Sequence, residues 1–312
     1  MIYKSIPNTD LSLSVIALGT WVFGDDVWGN APEEDCIKTV DAALEHGINL
    51  IDTAPIYGHG RSEEVVGKAI KEKRDKVILA TKCGLKLVSG EIKTDLSADS
   101  IREEIEGSLK RLQVEYIDIY QCHWPDSNTA INETINALLK LKREGKIRYI
   151  GLSNYKKDQL KEALDCADIA VVQNHYSLLE RSLEKELLGF CLNRRIGVIT
   201  YGSLGGGILS GKYNMQHKFD ASDARSFFYK FYDESNFKKT EILIGILREI
   251  AQRIDRPVSQ VAINWIWQKE GITGAIVGAR NAEQAISNAL STEWELSQED
   301  ITKLNNAEVK IS

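Results

Sequence analysis

The sequence predicts a single (β/α)8 barrel, and three observations support that fold class. Eight short apolar runs recur along the 312 residues, and each is followed by a segment whose apolar residues are spaced three and four apart, as on one face of a helix. No linker rich in proline, glycine or serine interrupts this alternation, so residues 1–312 are expected to form one domain. Several of the runs end directly in a polar or ionisable residue, which is typical of parallel strands with a site at their carboxyl ends.

The predicted strands and flanking elements cover most of the chain. The strands are residues 15–18, 50–52, 77–81, 117–122, 147–152, 169–172, 197–200 and 274–277. A hairpin around the turn-like segment 8–10 precedes them and is expected to close one end of the core. A helix is expected from about 182 to 194, after the sixth strand, and extra helices near 282–290 and 298–305 follow the last strand. The longest stretch without a regular pattern is 205–238.

A doubly wound parallel sheet is the competing architecture. Its dinucleotide-binding form requires the pattern G-x-G-x-x-G directly between a strand and a helix. The only cluster of glycines, 205–207, follows the seventh predicted strand and does not fit that pattern, so the barrel is favoured. In barrels the loops after the seventh and eighth strands often bind phosphate. These glycines therefore either serve a phosphorylated ligand or form a flexible surface loop.

Composition and charge argue against several classes of protein. With 39 basic and 45 acidic residues the net charge is −6, which disfavours nucleic acid or an anionic membrane as the partner. The amino terminus lacks the apolar core of a signal peptide, and no apolar run is long enough to span a bilayer. The 5 cysteines form no CxxC pair, and the 5 histidines show no ligand spacing. We therefore expect a soluble, cytoplasmic protein without a metal site.

Four residues near the ends of neighbouring strands are candidates for proton-transfer chemistry. Asp52 ends the second predicted strand, and Tyr57 follows shortly after it. Lys82 and His123 directly follow the third and fourth predicted strands. Taken singly, each has an ordinary alternative. Asp52 could cap a turn, Lys82 could be solvated, and His123 could be a structural loop residue. Tyr57 could simply pack in its loop. A barrel brings these strand ends together, where Asp52 would pair with Lys82 and the ammonium would lower the pKa of Tyr57. His123 would donate to a substrate oxygen, so the group suits protonation of a carbonyl.

Such a group supplies a proton but no electrons, so it needs either a hydride donor or a Schiff-base lysine. The later strand ends favour the hydride donor, because their side chains suit a nicotinamide dinucleotide. Amides and a hydroxyl suit the carboxamide, a tyrosine suits ring stacking, and glycines with cationic side chains suit the phosphates. Ser153, Asn154 and Gln173 would meet the carboxamide, and Tyr201 would stack on the ring. The phosphates would meet the glycines 205–207, Lys212 and Arg280.

The sequence resembles the aldo-keto reductase family over nearly its whole length. The motifs that carry this resemblance are Gly19-Thr20-Trp21, Asp52-Thr53-Ala54 with Tyr57-Gly58, Lys82, His123-Trp124-Pro125, Gly151-Leu152-Ser153-Asn154, Gln173, Tyr201-Gly202-Ser203-Leu204, and Gly278-Ala279-Arg280 with Gln284 and Asn288. Each motif alone is weak, but the ordered set is highly specific. Segments 50–58 and 120–125 look most like the bacterial general-stress reductases, a branch related to the β-subunits of potassium channels.

The resemblance implies a TIM barrel that reduces aldehydes or ketones to alcohols with NADPH. Tyr57 would be the general acid, Lys82 and Asp52 would tune it, and His123 would orient the carbonyl. The implied cofactor contacts are Thr20, Trp21, Ser153, Asn154, Gln173, Tyr201, Ser203, Leu204, Gly206, Lys212, Arg225, Gly278, Arg280, Gln284 and Asn288. The implied substrate pocket consists of Trp21, Tyr57, His123 and Trp124. Many family members carry a Lys-Ser pair where this chain has Gly278-Ala279, so the phosphate contact would fall to Arg280.

Two other functions are compatible with the same residues. A regulatory, redox-sensing module like the channel subunits would bind the cofactor but turn over slowly. A Schiff-base lyase would use Lys82 as a neutral amine, which pairing with Asp52 disfavours. The expected partner of the reductase is a small carbonyl compound, and no segment of the sequence indicates an oligomeric partner.

Overall fold

The computed structural model describes residues 1–24, 27–29, 31–214 and 217–307. The strands in these ranges are β1 (Tyr3–Ser5), β2 (Ser12–Ser14), β3 (Ile16–Gly19), β4 (Leu50–Asp52), β5 (Ile78–Cys83), β6 (Leu85–Val88), β7 (Glu91–Thr94), β8 (Ile117–Cys122), β9 (Ile147–Ser153), β10 (Val171–His175), β11 (Gly197–Tyr201) and β12 (Gly274–Gly278). The helices are α1 (Glu33–Glu45), α2 (Arg61–Ile70), α3 (Ala98–Leu112), α4 (Ile131–Arg143), α5 (Lys157–Leu164), α6 (Leu187–Arg194), α7 (Ala224–Phe227), α8 (Glu234–Arg253), α9 (Val258–Trp267), α10 (Ala282–Leu290) and α11 (Gln298–Asn306). Within the described part of the chain, no helix combines the length and apolar character needed to cross a membrane.

Eight parallel strands form a closed barrel, which confirms the predicted fold class. Their hydrogen-bonded order is β3, β4, β5, β8, β9, β10, β11 and β12, and β12 pairs again with β3. The remaining strands form two antiparallel hairpins, β1–β2 and β6–β7, outside the barrel. Because all eight barrel strands run the same way, their carboxyl ends meet at one face of the molecule.

Two apolar layers pack on the two sides of the barrel wall. Along β3, Ala17 belongs to the inner layer, whereas Ile16 and Leu18 belong to the layer between the strands and the helices. Leu11 and Leu13 of the amino-terminal segment also join the inner layer. Hairpin β1–β2 therefore closes the amino-terminal end of the barrel, as the sequence predicts, and leaves the carboxyl end for a site.

Three segments differ from the sequence-based expectation. The stretch 205–238 contains the short helix α7, and α8 begins at Glu234 because Phe237 is buried in its first turns and tertiary packing extends the helix. The helix expected over 182–194 is a short 3₁₀ turn followed by α6. Hairpin β6–β7, which directly follows the strand of Lys82, was not expected from the sequence pattern.

Hairpin β6–β7 is fixed to the carboxyl face of the barrel by one buried acid. Asp126, in the loop after β8, accepts hydrogen bonds from the Thr94 hydroxyl at 3.4 Å and from the Leu96 amide at 3.1 Å. On the other side of the hairpin, Lys86 pairs with Glu103 of α3 at 3.0 Å. The hairpin therefore lies beside the loop that follows His123.

Candidate active site

A buried ion pair lies where strands β4 and β5 end. The Lys82 Nζ atom is 2.7 Å from Asp52 Oδ2 and also donates to the Thr53 carbonyl oxygen at 3.0 Å. Both side chains are buried. Burial lowers the pKa of Lys82, and the negative charge of Asp52 opposes that shift. The pair brings together two of the residues predicted from the sequence, since adjacent parallel strands place their ends side by side.

Tyr57 reaches the same ammonium from the turn after β4. Its hydroxyl oxygen lies 3.3 Å from Lys82 Nζ, within hydrogen-bond distance. The turn continues through Gly58, which has φ +58°, and a Cβ atom there would lie 2.1 Å from the Gly24 carbonyl oxygen. The Tyr57 ring stacks on Trp21, with centroids 5.7 Å apart and 22° between the ring planes. Glycine at 58 thus permits the close approach that fixes this turn.

Burial raises the pKa of Tyr57 well above its usual value, and the charge of Asp52 adds to the rise. The expectation that the pKa of Tyr57 lies below its usual value is therefore wrong. The physical reason is that loss of water and the nearby carboxylate outweigh an ammonium at 3.3 Å. Tyr57 keeps its proton at neutral pH, as a proton donor must.

His123 faces this group from the end of β8. Its backbone N–H donates to the Cys83 carbonyl oxygen at 2.9 Å, and its ring meets the Tyr57 ring edge-on at 5.9 Å. Burial, and next the charge of Lys82, hold the pKa of His123 well below its usual value. The imidazole is therefore neutral at physiological pH and carries one N–H donor. The next residue, Trp124, is 40% exposed.

The second oxygen of Asp52 is held by two glutamine amides. Gln173 Nε2 donates to Asp52 Oδ1 at 2.8 Å, and Gln121 Nε2 donates to the same oxygen at 3.3 Å. Gln173 was predicted from the sequence as a cofactor contact. Gln121 was missed, although it precedes His123 by two positions, and strand alternation puts such residues on the same face.

Asn154 and Tyr201 are joined to the site by hydrogen bonds. Asn154 Nδ2 donates to the His123 carbonyl oxygen at 2.9 Å and to the Ser153 hydroxyl at 3.1 Å. The Tyr201 hydroxyl donates to Asn154 Oδ1 at 2.8 Å. One face of the Tyr201 ring stacks on His175, with centroids 5.1 Å apart and 11° between the planes. The tyrosine is thus fixed at both its ring and its hydroxyl.

His175 is a second residue that the sequence reasoning missed as part of the site. It lies opposite Tyr201 in the β10–β11 register, and a Cβ atom on Gly202 would lie 2.3 Å from its ring. Burial lowers its pKa to about 4, and the charge of Glu180 opposes the shift. In the sequence, its position two residues after Gln173 was the available signal.

The low pKa of His175 predicts a loss of stability in acid. The unfolded chain takes up a proton near the ordinary pKa and the folded protein does not, so stability falls as the pH drops from 6.5 towards about 4. This group alone accounts for about 3 kcal/mol, the free-energy equivalent of that shift. His175→Phe keeps a ring against Tyr201 and should lose less stability on acidification. Urea unfolding at both ends of this pH range measures the difference, and equal losses in the two proteins would contradict it.

The glycine-rich segment after β11 presents backbone rather than side chains. Residues 205, 206 and 207 are glycines with φ of +55°, +67° and +98°. A Cβ atom on Gly206 would lie 2.8 Å from the Tyr229 ring. Next to the run, the Ser203 hydroxyl donates to the Ile276 carbonyl oxygen at 2.8 Å, Leu204 is partly buried and Lys212 is exposed. The segment is therefore a glycine-only turn with a cation near its end.

The predicted contacts after β12 lie together. The Arg280 amide donates to Gln284 Oε1 at 3.0 Å, and Asn288 Nδ2 donates to the Gly278 carbonyl oxygen at 3.3 Å. The exposed Arg280 guanidinium donates to the Trp28 carbonyl oxygen. These contacts place a cation at the start of α10, where a helix amino terminus also favours an anion.

Thr20 and Arg225, two further predicted cofactor contacts, are also engaged within the protein. The Thr20 side chain is buried, and its hydroxyl donates to the Asp52 carbonyl oxygen at 3.0 Å. Arg225 pairs with Asp223 and donates to the Tyr213 hydroxyl at 2.6 Å. In this structure both residues support the surrounding loops. Among the described residues, no group of His, Cys, Asp or Glu side chains could hold a metal ion.

Comparison with known proteins identifies the family. The model of the Aldo/keto reductase family matches residues 15–308. The chain belongs to the aldo/keto reductase family. It is 41% identical over 308 residues to Aldo-keto reductase YhdN of Bacillus subtilis, covering 98% of this chain and 93% of that protein. It is 35% identical to the NADH-specific methylglyoxal reductase of Escherichia coli, with 96% of each chain covered.

Solved structures of aldo/keto reductases share the fold. The glycerol dehydrogenase of Gluconobacter oxydans superimposes with a TM-score of 0.90 at 37% identity, covering 98% of this chain and 94% of that one. An aldo-keto reductase from Klebsiella pneumoniae in complex with NADPH gives a TM-score of 0.77 at 28% identity, covering 99% and 96%. The chain is thus an oxidoreductase of this family. Its place in the general-stress branch stays a prediction.

Proposed function

We propose that this aldo/keto reductase uses NADPH to reduce aldehydes or ketones to alcohols, with Tyr57 as the general acid. The observation that carries the proposal is the position of the Tyr57 hydroxyl, 3.3 Å from Lys82 Nζ in a buried ion pair with Asp52. A phenol in that position can protonate a carbonyl oxygen, because the ammonium beside it stabilises the tyrosinate that remains.

Each of the four residues has a distinct task in this proposal. The high pKa of Tyr57 keeps its proton in place until negative charge develops on the substrate oxygen. Asp52 keeps Lys82 charged although the lysine is buried. The neutral His123 donates an N–H to the substrate oxygen and fixes its direction. When bound, the nicotinamide supplies the hydride.

The residues present fit a nicotinamide dinucleotide. Ser153, Asn154 and Gln173 lie at the ends of β9 and β10 and would hold the carboxamide, beside the fixed ring of Tyr201. Trp21 borders the same mouth through its stack with Tyr57. The pyrophosphate would lie along the positive-φ glycines, Gly206 among them, and beside Ser203, Leu204 and Lys212. The group after β12, Gly278, Arg280, Gln284 and Asn288, would meet the adenosine end.

The choice of NADPH rests on Arg280. One relative is described as NADH-specific and one structural neighbour holds NADPH, so the family alone does not decide. The guanidinium of Arg280 is exposed at the start of α10, where a permanently charged fork suits an additional phosphate. The nearby acid Asp223 forms its ion pair with Arg225 rather than with Arg280.

The aromatic side chains around Tyr57 predict the type of substrate. Trp21 stacks on Tyr57, and Phe228 packs edge-on against Trp21 at 5.4 Å. Together with the exposed Trp124, these rings offer few partners for hydroxyl groups, and burying unpaired hydroxyls is costly. We therefore expect a higher kcat/KM for an aromatic aldehyde than for an open-chain aldose. Steady-state kinetics with both compounds tests this, and a clear preference for the sugar would refute it.

The proposed function is tested by following NADPH consumption with a panel of aldehydes, ketones and sugars. The proposal expects rapid turnover with at least one class of aldehyde. Tight cofactor binding with only very slow turnover of every compound would instead indicate a regulatory protein. Trapping of a carbonyl compound on Lys82 by borohydride would indicate a lyase, although its pairing with Asp52 disfavours a neutral amine.

A further inference from the structure

Gln121 connects two parts of the site. It is fully buried on β8, opposite Lys82 in the β5–β8 register. Its Nε2 donates to Asp52 Oδ1 at 3.3 Å, and its Oε1 accepts a hydrogen bond from Gln173 Nε2 at 3.3 Å. Since Gln173 Nε2 also donates to Asp52 Oδ1 at 2.8 Å, the three side chains form a closed ring of hydrogen bonds. Every member of the ring is buried and each bond is therefore costly to break.

The backbone of the neighbouring strand leaves room for Gln121. Gly151 of β9 lies opposite Gln121, and a Cβ atom there would lie 2.7 Å from Gln121 Cγ. Real Cβ atoms do not approach so closely, so a larger residue at 151 would displace the glutamine. The packing around Gln121 therefore holds its amide at one place between Asp52 and Gln173.

The ring of hydrogen bonds determines how Gln173 is presented. Both hydrogen bonds of Gln173 Nε2 within the described residues go to Asp52 and Gln121. This fixes the amide plane and leaves the Gln173 Oε1 atom as the acceptor available to a ligand. A carboxamide N–H₂ group is a matching donor.

We propose that Gln121 is a positioning residue that orients Gln173 for the cofactor carboxamide and at the same time holds Asp52 for its pair with Lys82. This inference rests on the proposed function. Gln121 acts through Gln173 and Asp52, and it thereby links cofactor binding to the proton-donating group. Besides Asp52 itself, the titratable groups next to the ring are Lys82, paired with Asp52, then Tyr57, 3.3 Å from the lysine, and His123, whose ring meets that of Tyr57.

The first test replaces Gln121 with leucine, which keeps the approximate size and removes both hydrogen bonds. NADPH affinity, measured by quenching of protein fluorescence, should weaken about fivefold, the usual value of one neutral hydrogen bond. Turnover should fall by about tenfold, because Asp52 also loses a donor. The control is Gln252→Leu on the exposed surface of α8, which should leave both quantities unchanged.

The second test replaces Gln121 with glutamate, which has the same shape but can ionise. The negative charge of Asp52 raises the pKa of the new carboxyl group. While it is protonated, this group can make the same two hydrogen bonds as the amide. NADPH affinity should match that of the wild type in mild acid and should fall as the pH rises and the group ionises. The wild type should not show this dependence. If Gln121 served only in packing, the glutamate variant would not make NADPH affinity depend on pH in this way.

The outcomes separate this inference from the function on which it rests. A wild-type protein that neither binds NADPH nor reduces any carbonyl compound would remove the proposed function. A wild type that does both, with Gln121→Glu matching it in affinity at every pH, would overturn the role of Gln121. If Gln121→Leu fails to fold, the glutamate variant in mild acid still decides.

Discussion

Tyr57→Phe is expected to lower turnover by ~10²–10⁴-fold and to leave cofactor affinity intact, which is the usual effect of removing a general acid. The phenylalanine ring can keep the stack on Trp21, and the pair between Lys82 and Asp52 does not depend on the hydroxyl. Only the proton donor is lost. Steady-state reduction of an aldehyde and fluorescence titration with NADPH measure the two quantities.

Tyr3→Phe is the matched control for this variant. The Tyr3 hydroxyl donates to the Gly47 carbonyl oxygen at 2.9 Å, near the amino-terminal end of the barrel and away from the site. Its removal should leave turnover unchanged. Near-normal turnover in Tyr57→Phe would mean that Tyr57 is not the proton donor.

Arg280→Ala is expected to weaken NADPH binding by roughly one to two orders of magnitude, because a charge-assisted hydrogen bond contributes about 1.5–3 kcal/mol. The two cofactors differ only in the 2′-phosphate of the adenosine ribose, so NADH binding should change little. Titration of both cofactors by fluorescence quenching gives the comparison. Within the protein Arg280 donates to a backbone carbonyl oxygen of Trp28, and among the residues that the structure describes its removal breaks no ion pair.

Arg102→Ala removes an exposed arginine of α3 and serves as the control for the loss of one positive charge. It should leave the affinity for both cofactors unchanged. Equal losses for NADPH and NADH in Arg280→Ala, or a wild type that prefers NADH, would place the discrimination elsewhere.

The barrel could be predicted because its strands stand out in the sequence as short apolar runs between helical patterns. The run 274–277, for example, is buried along its whole length, and an uninterrupted apolar run between helical patterns has few other interpretations. The site could be located for the same reason. Asp52, Lys82 and His123 are ionisable residues at the ends of buried strands, and closure of the barrel brings strand ends together.

Hairpin β6–β7 could not be predicted in this way. Apolar and charged residues do alternate at 85–87, and Ser89-Gly90, with φ of +53° and +85°, forms a two-residue turn. The strands are short, however, and their large apolar residues Leu87 and Ile92 are exposed, so no buried face distinguishes the hairpin from a loop. Its position depends on Asp126, a residue more than thirty positions further along the chain, which holds Thr94 and Leu96. Long-range hydrogen bonds of this kind leave no local pattern.

The electrostatics of the site depend on burial, which the sequence does not give. Proximity to Lys82 suggests a lowered pKa for Tyr57, but the depth of the site and the charge of Asp52 reverse the direction. Gln121 and His175 were missed for a related reason. Their importance comes from the neighbours they touch, Asp52 for one and Tyr201 for the other, rather than from their own charge.

The most direct test of the central claim is to follow the hydride itself. The purified protein is incubated with NADPH carrying deuterium at the transferable position of the nicotinamide, together with an aromatic aldehyde, and the product is analysed by mass spectrometry. Direct hydride transfer to the carbonyl carbon predicts an alcohol with one deuterium on that carbon, formed at a greatly reduced rate by Tyr57→Phe. Consumption of the aldehyde without deuterium in the product, or no conversion despite cofactor binding, would contradict this account.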